Sequence, residues 1–92
     1  MKKTKKIVTI AVEVAGDSKD YVESVGKIMR KLFRKQVTCY YNSHNVLLYN
    51  IERCWFEEYQ ELDRIEAALW EKDIDFLNVY VRRIVDGDLL IQ

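Results

Sequence analysis

KIVTIAVEVAGDSKDYVESVGKIMRKLF, residues 6–33, changes its period midway, and that change decides the fold. Over residues 6–14, Val8, Ile10, Val12 and Val14 alternate with Thr9, Ala11 and Glu13, the spacing of a strand with one apolar face. Gly16 breaks the run. Asp17 or Ser18 can accept from the free amides that open a helix, and Asp20 suits its positive first turn. Val22, Val25, Ile28, Met29, Leu32 and Phe33 then recur every three or four residues, which predicts an amphipathic helix reaching about residue 34.

Working outward, QVTCYY (36–41) and VLLYNI (46–51) are rich in β-branched and aromatic residues, and the NSHN between them is turn chemistry. They predict a hairpin. A second helix is expected over about 53–72, with Phe56, Tyr59, Leu62, Ile65 and Leu69 as its inner stripe. DFLNVYVRRIV (75–85) reads as another strand, with Leu77, Val79 and Val81 inward and Asn78, Tyr80 and Arg82 outward. Asp86-Gly87 is a tight-turn signal, after which DLLIQ can fold back as an extra C-terminal strand. The order β-α-β-β-α-β resembles the ferredoxin-like plait, an α+β fold with an antiparallel sheet and two helices on one face. The resemblance rests on element order alone. With 92 residues and no Pro-rich or Gly-rich linker, residues 1–92 read as a single domain, with residues 1–5 a flexible basic arm.

Several function classes are excluded at this level. At 49% hydrophobic the chain can build a core, yet no apolar run nears the ~20 residues of a spanning helix. The basic start ahead of an apolar stretch has the outline of a signal peptide, but alternation with Thr9 and the interruption at Glu13 make it a strand, so the chain reads as cytoplasmic and not membrane-bound. Cys39 and Cys54 are too few for a disulfide framework or structural zinc site and read as packed thiols. His44 is the sole histidine and has no partners for nucleophilic catalysis. DID (73–75) and DGD (86–88) read as helix-end and turn chemistry, not metal ligands. The acylphosphatase family shares the plait and the size, but its glycine-rich phosphate loop has no counterpart here. The expectation is a protein without cofactor or metal that is not an enzyme.

Charge is what remains. Residues 1–50 hold ten Lys or Arg against four Asp or Glu, and residues 51–92 hold five against eleven. Lys27, Arg30, Lys31 and Arg34 fall on the polar side of the first helix. With Lys2, Lys3, Lys5 and Lys6 of the arm they can cover several phosphates of a nucleic acid, RNA favoured. Tyr80 and Arg82 add a weaker contribution from the uncovered sheet face, which in outline resembles an RNA-recognition module. The third strand, NVLLYNIE, lacks that family's aromatic and glycine motif. A homodimer interface through Leu47, Tyr49, Tyr80 and LLIQ competes for the same face. The alternative function is a protein-binding inhibitor or adaptor, such as a phage-encoded antagonist of a host or defence protein. It would act through Glu57, Glu58, Glu61 and Asp63 of the second helix against a basic protein target, or as a homodimer. Trp55 and Trp70 are expected to lock that helix onto the sheet.

Overall fold

A computed structural model describes residues 6–34, 37–53 and 57–86, with the backbone alone for 38–43 and 86. Strand β1 (Lys6–Val14) is followed by a 3₁₀ turn (Ser18–Tyr21), helix α1 (Val22–Phe33), strands β2 (Val37–Ser43) and β3 (Val46–Arg53), helix α2 (Glu58–Glu71) and strand β4 (Phe76–Asp86). The sheet runs in the order β2-β3-β1-β4, and every neighbouring pair is antiparallel. This α+β arrangement is compatible with the ferredoxin-like plait. The basic arm and the extra C-terminal strand fall outside the described residues. No helix among those residues is long and apolar enough to cross a membrane.

The period-2 pattern of β1 places the core. Val8, Ile10, Val12 and Val14 form one buried cluster with Leu47, Tyr49 and Ile51 of β3 and Val79 of β4. Val25, Met29 and Phe33 of α1 and Ile65 and Leu69 of α2 complete that cluster, so both helices cover the same face of the sheet. The hairpin turn is tied back to β1 and to the 3₁₀ turn: the Val14 amide donates to the carbonyl of Asn45, and the Ser18 amide to that of His44. Asp17 caps the 3₁₀ turn by accepting from the Lys19 amide at 3.0 Å.

Four expectations change. First, the second helix does not begin at residue 53, because Ile51–Arg53 extend β3 and pair with Lys6–Val8 of β1; ladder hydrogen bonds prevail there over helical periodicity. Second, Tyr59 is 77% exposed; it stands in line with Asp63, Glu66 and Trp70, while among the described residues Leu62, Ile65, Ala68 and Leu69 make the inner stripe, Phe56 lying outside them. Third, Leu77 is exposed because β4 carries an extra residue there: Glu13 pairs with Asn78 and Val14 with Phe76. Phe76 takes the inward place. Fourth, Leu47 and Tyr49 lie in the core while Tyr80 pairs with Ala11 on the opposite face, so these three do not form one homodimer surface.

Two local devices hold the helices. At the exit of α2, Asp73 adopts a left-handed φ of 57°, its amide donates to the carbonyl of Trp70, and Ile74 donates to that of Leu69. This pair of hydrogen bonds over the last turn, with Ile74 buried, is a Schellman ending in which glycine is the usual residue at the left-handed position. Between the helices, Glu61 accepts from Arg53 and Arg64, each at 3.1 Å. Both guanidiniums also lie over the ring of Phe33, at 5.1 and 5.8 Å from its centroid. One carboxylate thus joins the end of β3 to α2 above the last turn of α1.

Asp73→Gly is expected to stabilise the protein by about 1 kcal/mol, raising Tm by roughly 5 °C in a calorimetric scan, because it relieves the left-handed strain and removes a carboxylate from a negative helix end. Glu61→Ala leaves two guanidiniums crowded without their anion and should cost about 2 kcal/mol in urea unfolding.

Candidate nucleic-acid interface

The side of α1 that enters the core, through Val25, Ile28, Met29 and Phe33, dictates what the other side presents. Lys27, Arg30, Lys31 and Arg34 line that outward side at spacings of three and four. Arg30 and Lys31 sit in the last turn, where the helix dipole favours cations. Lys27 meets Glu23 at 3.7 Å, an exposed pair in which water screens most of the attraction. Among the described residues no ion pair holds Arg30, Lys31 or Arg34, and none links α1 to α2. The buried Gly26 makes room for Arg30 to fold back along the helix: a Cβ at position 26 would lie 3.1 Å from the Arg30 guanidinium.

Arg34 ends the helix at φ 57° and ψ −126°, its amide donating to the carbonyl of Arg30. A side-chain-bearing residue in this region stores on the order of 1–3 kcal/mol of strain, and such strain gathers at functional positions. The chain keeps an arginine where glycine would sit more easily.

Two adjoining clefts run beside this face and share Ile28 and Lys72. One, of ≈ 510 Å³, is also lined by Asp20, Glu23, Ser24, Lys27 and Ile74. The other, of ≈ 240 Å³, has Leu32 and Ala68 at its floor and Lys31, Arg64 and Glu71 at its rim. Sequence reading missed Arg64 and Lys72 as neighbours of the basic face. Arg64 is positioned by Glu61 three residues earlier, a pairing readable from the helix, but its approach to the carbonyl of Leu32 at 3.5 Å requires the tertiary fold.

Of the remaining proposed contacts, those among the described residues do not line the outward face of α1. Lys2, Lys3 and Lys5 lie outside the described residues. Lys6 is half-buried at the start of β1 and engaged within the fold. Tyr80, half-buried beside Ala11, is on the sheet face away from the helices. Arg82 is the extra residue of a second β4 irregularity, and Arg83 is the residue that pairs with Thr9. The centre of that face is also closed, with Thr9, Ala11 and Leu48 all buried and the Thr9 hydroxyl donating to Asn50 at 2.7 Å. Ala11 lies in the ladder between Leu48 and Tyr80.

In the acidic set, Glu58 and Asp63 point to solvent, Glu57 is half-buried at the α2 N-cap, and Glu61 is committed to Arg53 and Arg64. Among the described residues no group of three or more His, Cys, Asp or Glu is placed to hold a metal ion. No protein-family model, curated protein or solved structure matches the chain.

Arg34→Gly separates strain from charge. It should stabilise the fold by about 1 kcal/mol in chemical denaturation, and its effect on nucleic-acid affinity should have the opposite sign, a loss of roughly threefold to tenfold in fluorescence anisotropy.

Proposed function

We propose that this chain is a small non-catalytic regulator, built as a ferredoxin-like plait, that binds nucleic acid through the outward face of α1. Lys27, Arg30, Lys31 and Arg34 contact phosphates, and Lys2, Lys3 and Lys5 extend the same electrostatic reach. The observation that carries this reading is the absence, among the described residues, of any ion pair between the α1 cations and α2, whose inward carboxylate is taken by its own arginine and that of β3. Cations gathered on one helix face, of which Lys27 alone has a carboxylate partner (Glu23) among the described residues, release counterions from a phosphate backbone, which drives association without reading bases. RNA is favoured on the outline shared with RNA-recognition modules, although the contacts come from the helix and not from the sheet.

The exposed acids Glu58 and Asp63 beside the exposed ring of Tyr59 favour a second reading, in which α2 meets a basic protein as an inhibitor or adaptor. A pull-down whose recovered protein survives nuclease treatment distinguishes the two.

The primary test is anisotropy with single-stranded RNA and DNA across a salt series. Four phosphate contacts should give a slope of log K against log salt of about −3 on a single strand. Replacing Lys27, Arg30, Lys31 and Arg34 together by Ala should abolish the binding while circular dichroism stays unchanged. Binding that survives these substitutions, or that does not weaken with salt, rejects the proposed face.

A further inference from the structure

Gly26 stands in the interior of α1, where glycine is among the poorest helix formers. Two ordinary reasons for a glycine are missing there. Its φ is not positive, so the backbone conformation does not require it. Nor does a neighbouring element come closer to it than Arg30. Apart from its chain neighbours and the helix backbone, the three atoms nearest to a Cβ at position 26 all belong to the Arg30 guanidinium, at 3.1, 3.7 and 3.7 Å. Gly26 is nevertheless buried, with that guanidinium laid over it. We infer that Gly26 is a positioning residue: the notch it leaves holds the Arg30 guanidinium ready as the phosphate clamp of the α1 face.

A long side chain on a helix leans back over the residue four positions earlier. With a side chain at 26 that place would be filled, and Arg30 would sweep through solvent. Over a glycine it can rest along the helix instead. Arginine has much rotamer freedom to lose when it grips a ligand, so a guanidinium already confined loses less when a phosphate arrives. Its planar fork suits two phosphate oxygens at once. The fork is also available: among the described residues no ion pair or side-chain hydrogen bond engages Arg30, whereas Lys27 is shared with Glu23. The inference rests on the nucleic-acid reading and divides the α1 face unevenly. Arg30 is the fixed contact, and Lys27, Lys31 and Arg34 add charge around it. Were Gly26 merely a tolerated weak spot, filling it would strengthen the helix and leave binding untouched.

Gly26→Ala and Gly26→Leu fill the notch by degrees and test this. Both introduce better helix formers, so each should raise Tm, with circular dichroism to verify the fold. Affinity for a single-stranded RNA, read by anisotropy, should move the other way: roughly twofold weaker for Ala and about fivefold weaker for Leu. In an Arg30→Ala background, Gly26→Leu should cause no further loss. Without nucleic acid, NMR nitrogen relaxation at the Arg30 Nε should show restricted motion in the wild type and free motion in Gly26→Leu. A wild type that binds no RNA or DNA rejects the nucleic-acid reading and the clamp with it. The clamp alone is overturned, and the reading stands, on any of three results: undiminished binding by both Gly26 variants, an equal loss from Gly26→Leu in the Arg30→Ala background, or an Arg30 Nε as mobile in the wild type as in Gly26→Leu.

Discussion

Val8 to Val12 of β1 are buried without interruption, so this strand is shut off from water on both faces of the sheet as well as bonded along both edges. A one-residue slip against β3 would exchange the helix-facing set for the opposite one, which is why the alternation holds the register so firmly. From that register the rest follows. The helix-facing side of β1 needs a cover, α1 and α2 supply it with their apolar stripes, and each helix must then turn its charged side outward. The basic face of α1 is in this sense the geometric complement of Val25, Met29 and Phe33.

The charge separation along the chain becomes a separation in space by an indirect route. The carboxylate that α2 directs inward is consumed by Arg53 and Arg64, both from the acidic half of the chain. Phe33 gives the two guanidiniums a face to rest on, which is how α1 takes part in the network without spending a cation. Two neighbouring helices of opposite charge would ordinarily cancel each other. Here the inward carboxylate of the acidic helix is satisfied by Arg64 and Arg53, Lys27 pairs within α1 with Glu23, and among the described residues no ion pair crosses from α1 to α2.

Much of this was legible in the sequence, because the β1 alternation and the α1 stripe are strong signals over nine and twelve residues. Their order implied the layers. What failed was what periodicity does not encode. An extra residue in β4 turned Leu77 out and put Arg83, not Arg82, opposite Thr9. Tyr59 looked like a core residue by spacing, but the start of α2 is set by the length of β3. Parity in β3 was ambiguous until β1 fixed it, and only then did Leu47 and Tyr49 fall into the core. For the candidate interface, the cations of α1 could be named in advance; the freedom of those cations could not, since it depends on where Glu61 finds its partners.

The pairing of Val8 with Ile84 closes the sheet across most of the chain. During synthesis β1 emerges well before β4, and one of its edges stays vacant until that fourth strand has cleared the ribosome. Its helix-facing valines and isoleucine meanwhile have only part of their eventual cover. Such long-range closure slows folding and lengthens the interval in which a sticky strand is open to wrong partners. Nascent chains stalled anywhere before residue 76 should therefore be clients of holdase chaperones, whatever the finished protein binds.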